Sequence, residues 1–310
     1  MKKLTQTVRK MALDAGFEKV GITSATMPDK SGFLDTWLNA GYHGDMVWME
    51  KHRQLRLDVN QLFPGARSVI AVAQNYYTPH KHSVDIKIAK ISRYAWGRDY
   101  HKILPRKLKN ILADLQKMDP EINGRVCVDT APFMDKLWAE KAGIGWQGKH
   151  TNLITREYGS WIFLGALIIN KELIYDPPAT DRCGSCSACI QACPTDAIIA
   201  PYQLDARKCI AYLTIEMRQH DIPGYLGKVM ENYIFGCDIC QEVCPWNKFQ
   251  RASKSGDYAP REGNLYPRLD DLAGISENEF NERFKGTPIK RTGWRKLVMN
   301  INTIINRQKE

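Results

Sequence analysis

Long apolar runs are missing from this chain. No stretch of its 310 residues approaches the roughly 20 apolar residues that cross a bilayer, and the nearest, Trp161 to Asn170, is strand-length. After Lys2 and Lys3 comes an amphipathic, charged segment where a secretory signal would place an apolar core, and no twin-arginine pair occurs. A cytosolic protein without membrane contact is the expectation. Also absent are a P-loop, a G-x-G-x-x-G after a strand and a G-x-S-x-G elbow, which removes the usual signals of nucleotide binding and serine hydrolysis. The seven histidines show no pairing at metal-ligand spacing, and His101, in Asp99-Tyr100-His101, reads as a surface residue. Cysteine is scarce over most of the chain. Outside one stretch only Cys127 occurs, and a free thiol in a strand is ordinarily a small buried hydrophobe.

The other eight of the nine cysteines crowd between residues 183 and 244. The first run is Cys183-Gly-Ser-Cys186-Ser-Ala-Cys189-Ile-Gln-Ala-Cys193-Pro194, or C-x₂-C-x₂-C-x₃-C-P. A lone Cys209 follows, then Cys237-Asp-Ile-Cys240-Gln-Glu-Val-Cys244-Pro245. These are two copies of the bacterial ferredoxin pattern, the second with its first cysteine moved upstream. In such pairs the fourth cysteine of each run ligates the other run's cluster. Cys183, Cys186, Cys189 and Cys244 are therefore expected to hold one 4Fe–4S cluster, and Cys193, Cys209, Cys237 and Cys240 the second. Zinc is the plainer alternative, but three cysteines at successive two-residue gaps overcrowd one small tetrahedral ion. They wrap three corners of a cubane without strain. A disulfide framework does not suit a cytosolic chain. The proline after each closing cysteine pre-sets φ for a following helix.

Charge points to a partner. The formal net charge is +10 and the pI about 9.1, in a composition of 44% hydrophobic and 25% charged residues typical of a globular protein. From Glu282 to the end there are eight Lys or Arg against two Glu, and a second basic stretch holds Arg98, Lys102, Arg106, Lys107 and Lys109. Solvated helix faces account for such charge; beside a redox core, a polyanionic substrate accounts for it equally well. No recognised nucleic-acid-binding motif is present.

The pattern along the chain predicts a helix over Leu4 to Ala15, a short strand over Glu18 to Thr23 and a buried strand over Ser68 to Ala73. A helix over Ile103 to Met118, a strand over Val126 to Asp129 and a helix over Phe133 to Ala142 follow. Asn152 to Thr155 and Trp161 to Ile169 are expected to pair as a hairpin about Tyr158-Gly159. The fold class is α+β: an N-terminal α/β-layer domain over 1–178, then a bacterial-ferredoxin-like two-cluster domain over 179–250. The latter carries a helical insertion, 210–236, expected as two helices broken at Asp221-Ile-Pro223-Gly224. A basic segment, 251–310, ends in a helix with Trp294, Leu297, Val298, Ile301 and Ile305 on one face.

About 180 residues precede the clusters, far more than a simple electron carrier needs, so an acceptor site is expected there. The densest candidate is Val128-Asp129-Thr-Ala-Pro132 with Ala142-Gly143-Ile-Gly145-Trp146-Gln-Gly148-Lys149-His150-Thr-Asn152. Asp129 ends a strand and is a candidate catalytic carboxylate; a helix N-cap is the competing role. The three glycines are candidates for close backbone approach to a bulky planar group, with ordinary turns as the commoner reason.

Several segments together resemble the epoxyqueuosine reductase family, cobalamin-dependent enzymes of the last step of queuosine biosynthesis in tRNA. They are Arg56-Leu-Asp58, Pro64-Gly-Ala-Arg67-Ser68-Val69-Ile70, Arg93-Tyr-Ala-Trp-Gly97-Arg-Asp99-Tyr-His101 and Val128-Asp-Thr-Ala-Pro132. Ala142-Gly-Ile-Gly-Trp-Gln-Gly-Lys149, Cys209-Ile-Ala-Tyr-Leu-Thr-Ile-Glu216 and Phe235-Gly-Cys-Asp-Ile-Cys-Gln-Glu-Val-Cys-Pro-Trp-Asn247 complete the set. The resemblance implies base-off cobalamin between the N-terminal domain and the clusters; a D-x-H-x-x-G cobalt-ligand motif is indeed missing. It implies cobalamin contacts at Arg56, Tyr94, Asp129, Lys149, Asn152 and Asp238, and Asp129 as proton donor, neutral near pH 7 through burial. Asp99 is expected to be structural and Asp135 a helix-surface charge. Lys285, Lys290, Arg291, Arg295 and Lys296 are the expected tRNA contacts, and an external one-electron donor and a monomer complete the picture. Some family members extend into a C-terminal helical-repeat domain; this chain ends after its basic helix. The rivals are a cobalamin-dependent reductive dehalogenase, for which a basic tail has no use, and a non-catalytic electron-transfer or cobalamin-handling protein.

Overall fold

The computed structural model describes residues 1–28, 32–217 and 221–309. At its centre four strands form an antiparallel sheet in the order Lys19–Ser24, Ser68–Asn75, Ile162–Ile169, Gly124–Cys127. Ser68–Asn75 is buried at every position because helices and loops cover both sheet faces. Its side chains alternate between two cores, as a strand's must. Ile70 and Val72 join Leu167 and Ile169 against Val8, Ala12, Leu104, Leu108 and Leu115, from helices Lys2–Asp14 and Tyr100–Met118. Val69 faces the opposite way with Ala166 and Ile168, towards Trp138 of helix Asp135–Lys141 and towards Val59 and Leu62. Cys127 is fully buried in this second core, and burial pushes its thiol up to about 12.

The hairpin expected about Tyr158-Gly159 does not form. Leu153–Ile154 pairs instead with Trp146–Gln147, and Thr155 meets Gly159 only in an isolated bridge. Ile162–Ile169 is an interior strand of the sheet, paired along both edges. An apolar run of that length gains more between two strands and two covering layers than in a lone hairpin, which is marginal in water.

A further core joins distant parts of the chain. Strand Tyr233–Phe235 lies parallel to Lys90–Ile91, and against them pack Phe280, Phe284, Ile289, Leu297, Ile301 and Ile304. The last three belong to helix Trp294–Arg307, whose buried Asn300 donates to the carbonyls of Thr214 and Ile234 at 2.8 and 2.9 Å. The insertion contains helices Ile210–Ile215 and Gly224–Gly227, with 218–220 outside the described residues, and the strand at Tyr233 had no sequence signal of its own. Pro245 opens a 3-10 helix, Pro245–Phe249, as a first-turn proline should. No helix follows Pro194, where the chain turns into strand Ile198–Ala200. Among the described residues no helix is long and apolar enough to cross a membrane.

Candidate functional site

The eight clustered cysteines line two separate cavities. Cys183, Cys186, Cys189 and Cys244 share one of about 340 Å³, closed by Trp246, Phe249 and Ile154. Cys193, Cys209, Cys237 and Cys240 share another of about 350 Å³. The fourth cysteine of each run thus stands among the other run's thiols. One-turn helices Ala188–Gln191 and Ile239–Glu242 carry Cys189 and Cys240 into place. Burial pushes the thiols of Cys183, Cys189, Cys209, Cys237 and Cys240 up and that of Cys244 to about 11, so a bound cation is what makes thiolates favourable here. Two buried N–H groups nearby, Trp146 Nε1 and His150 Nε2, have no hydrogen-bond partner. Soft sulfur acceptors in the cavities fit that donor set, and so does an iron–sulfur cubane.

A third cavity, about 1110 Å³, is larger than ordinary small-molecule sites. Tyr100, Lys136, Thr151, Ile162, Phe163 and Leu164 line both it and the Cys193/Cys209/Cys237/Cys240 cavity, so these two spaces are separated by a single wall. Its lining includes the apolar side chains of Phe133, Met134, Met46, Met49 and Trp48. Its charged groups among the described residues are Arg56, Asp129, Asp135, Lys136, Asp181, Glu216 and Arg291. Arg56 Nε and Asp135 Oδ1 are buried without partners, one donor and one acceptor. The peripheral amides of a corrin offer both complements, and no histidine is among the described lining residues.

Asp129 stands at this wall in a left-handed conformation, φ 43°, which aspartate tolerates better than most residues. It caps no helix: the next one begins at Asp135 with Met134 before it. Its Oδ2 lies 2.9 Å from His101 Nε2, while His101 Nδ1 lies 2.7 Å from Asp99 Oδ1. His101 is therefore no surface residue; its side chain is 18% exposed and bridges two carboxylates. Burial alone would lower its pKa, but Asp129 and then Asp99 outweigh that and raise it to about 9. Removal from bulk water favours the neutral form of Asp129, yet the hydrogen bond and charge of His101, with Arg291 beyond, hold its carboxyl below the usual range. The proton expected on Asp129 rests on His101. Asp99 caps helix Tyr100–Met118, accepting from His101 N–H at 3.0 Å, and orients the imidazole as well. Asp135 faces the cavity instead of solvent; desolvation, then the Asp129 charge, raises it to about 7.

The other sequence candidates are dispersed. Arg56 lines the large cavity with Asp129. Tyr94 and Asn152 line the Cys193 cavity, Asn152 accepting from Lys136 Nζ at 3.1 Å. Lys149 donates to the carbonyls of Gly184 and Cys186 at 2.6 and 2.9 Å and so clamps the first cysteine loop. Asp238 is 0% exposed, its oxygens held by Ser92 Oγ at 2.5 Å, Arg93 N–H at 2.8 Å and His82 Nε2 at 2.9 Å. The glycines at 143 and 145 meet the chain itself: a Cβ there would lie 2.7 Å from the Pro177 carbonyl oxygen and 2.1 Å from that of Ile154. Of the basic residues, Lys285 and Arg295 are exposed and Lys290 bonds Asn281. Arg291 pairs with Glu216 at 2.8 Å on the large cavity, and Lys296 Nζ is buried without a partner. Sequence reasoning misplaced His101 and Asp135 at the surface, gave His150 no role of its own and missed Lys136; only His101 carried a signal, the carboxylate two residues before it.

Paired thiol cavities beside a large partly apolar chamber with a carboxylate–imidazole relay define an iron–sulfur oxidoreductase. The chain belongs to the epoxyqueuosine reductase family. The family model described as epoxyqueuosine reductase QueG, DUF1730, matches residues 56–130, and a 4Fe-4S double cluster binding domain matches 182–247. An epoxyqueuosine reductase of Synechocystis is 47% identical over 259 residues, covering 83% of this chain and 89% of that one. That of Escherichia coli K12 is 40% identical over 305 residues, 97% of this chain and 80% of that one. A crystal structure of epoxyqueuosine reductase with an epoxyqueuosine-modified tRNA-Tyr stem loop superposes with a TM-score of 0.91 at 32% identity, covering 99% of this chain and 82% of that one.

Proposed function

We propose that this chain reduces epoxyqueuosine to queuosine at the wobble position of tRNA, the last step of queuosine biosynthesis. The observation that carries the reading is the single wall between a four-cysteine cavity and a chamber bearing Asp129. Cys183, Cys186, Cys189 and Cys244 would hold one 4Fe–4S cluster and Cys193, Cys209, Cys237 and Cys240 the other. Cys186 is exposed, so an external one-electron donor reaches the first site and the second faces the chamber. Base-off cobalamin would occupy the chamber against Arg56 and Asp129, supplying low-valent cobalt as the reductant at the epoxide carbon. Tyr94, Lys149, Asn152 and Asp238 stand behind it, bracing the cluster side. In this reading residues 1–178 hold cobalamin and substrate, 179–250 the clusters, and 251–310 the tRNA-facing segment of a cytosolic monomer.

Opening the epoxide to an alkene and water takes two electrons and two protons. The leaving oxygen must be protonated, and among the carboxylates lining the chamber Asp129 is the one bonded to the His101 imidazole. Protonated His101 resupplies it across 2.9 Å while Asp99 fixes the ring. Asp135, raised to about 7, is the other acid of this wall that carries a proton near neutral pH. The base is splayed from the anticodon loop to enter, as enzymes acting on nucleobases require. Reconstituted, pre-reduced protein should convert epoxyqueuosine in tRNA within a single turnover, read by mass spectrometry of the released nucleosides. Intact epoxyqueuosine after full reduction of the protein would sink the reading.

Lys285 and Arg295 are exposed and would meet phosphates, with Lys290 and Arg291 beside them; Lys296, whose Nζ is buried, serves from behind. Affinity for tRNA should then fall steeply with salt, and neutralising Lys285 and Arg295 together should lower the slope of log K against log salt by about one to two units. An unchanged slope returns both residues to ordinary solvated positions.

A further inference from the structure

Among the described residues, His150 is the one that lines both cysteine cavities. Its side chain is buried, with 3% of the residue exposed. The ring is held by a tight turn: Gly148 N–H donates to the Asn152 carbonyl and Thr151 N–H to that of Gly148, each at 2.8 Å. Within that turn the Asn152 N–H donates to His150 Nδ1 at 3.2 Å. A ring nitrogen that accepts carries no proton, so the neutral imidazole bears its hydrogen on Nε2. Gly148 leaves the room this needs, since a Cβ there would stand 3.2 Å from His150 Cε1. Nε2 is buried and bonds nothing in the protein. An N–H in that condition is costly and demands an acceptor. What the ring has on its two sides are the thiol-walled cavities.

We propose that His150 Nε2–H donates a hydrogen bond to a sulfur of one 4Fe–4S cluster in the gap between the two, and that this bond raises that cluster's reduction potential relative to its neighbour. Reduction adds negative charge to the cluster, so a donor aimed at its sulfur stabilises the reduced form more than the oxidised one. The residue is a positioning and tuning group: it holds no iron and touches no substrate. Trp146 Nε1 does not share this place, because its indole lies against the Cys183 thiol, on one side only. The proposal rests on the two-cluster reading of the cavities.

The test is a redox titration of the reconstituted protein followed by electron paramagnetic resonance, with iron counted in every sample. His150→Leu removes the donor. His150→Gln returns an amide N–H near the position of Nε2, and His150→Asn places it near Nδ1. In the Leu and Asn variants one of the two midpoints should fall by at least a tenfold change in the reduction equilibrium, about 59 mV for one electron, while the other stays. The Gln variant should recover most of the difference. Unchanged midpoints in His150→Leu at full iron content overturn the proposal, as does an equal fall in both clusters. Loss of iron from all three variants also overturns it, because His150 is then a folding residue. Wild-type protein that takes up no cluster iron fails separately, and it is the two-cluster reading that falls with it.

Discussion

Asp129→Asn should slow single-turnover reduction of epoxyqueuosine tRNA by about 10² to 10⁴, the span that general acid catalysis commands. Asparagine has nearly the same shape and tolerates the left-handed φ of 43° that this position requires, so the loop and both cysteine cavities should persist. Iron content is the control, and it should not change. The amide removes the ionisable oxygen that lies 2.9 Å from His101 Nε2 and so breaks the relay at the chamber end. A wild-type rate in the pre-reduced variant would mean that the proton reaches the leaving oxygen by a path without Asp129.

The pH profile separates the two members of the relay. With Asp129 held low and His101 raised to about 9, the shared proton lies on the imidazole over the neutral range. The wild-type rate should stay level through neutrality and decline as pH climbs through about 9. His101→Gln keeps hydrogen bonding but stores no proton, and its profile should lose that decline along with much of the rate. Stability follows the same sign. A histidine whose folded pKa exceeds its unfolded value of about 6.5 contributes fully below that value, and the contribution fades as pH passes 9. Equal pH profiles for wild type and His101→Gln would remove His101 from the reaction.

What could be read from the chain followed from interactions local in sequence. Cysteine spacing is such a property, because iron–sulfur ligation constrains neighbours on a loop, and the eight thiols group around two cavities as that spacing led one to expect. Ser68 to Ala73 was legible too, since a strand buried on both faces reads as a near-continuous apolar run, and the strand extends two polar residues beyond it to Asn75. The failures were of tertiary origin. Nothing within Trp161 to Ile169 distinguishes a hairpin arm from an interior strand; the choice lies with Ser68–Asn75 and Gly124–Cys127, far away in sequence. Asp135 looked like a surface charge because its helix supplies only seven residues of pattern, and its raised pKa comes from Asp129 and from the chamber it faces. His101 and Asp129 are 28 residues apart, and their meeting depends on how helix Tyr100–Met118 crosses the sheet. Burial beside a cofactor was the reason to expect a neutral Asp129; His101, whose neighbour Asp99 was visible but whose partner across the fold was not, reverses the sign.

Pairs of cysteine replacements should reveal the exchange of fourth ligands by how they fail to add. Intact protein reconstituted anaerobically should hold about eight iron atoms, four for each cubane. Cys193→Ala should cost the site of Cys209, Cys237 and Cys240, because Cys193 lines that cavity and not the one lined by the rest of its own run. Combining it with Cys237→Ala strikes one site twice, so about four iron atoms should remain, as in either single variant. Combining it with Cys186→Ala strikes both sites, and little iron should be left. Ligation within each run predicts the reverse: Cys193→Ala with Cys186→Ala would spare four irons, and with Cys237→Ala would spare none. Cys127 offers no rescue, being fully buried in the sheet core. Every variant that loses the site beside the chamber should also lose turnover, since the wall formed by Tyr100, Lys136 and Phe163 then has no electron source behind it. A Cys193→Ala, Cys186→Ala protein that keeps four irons would refute the exchanged arrangement.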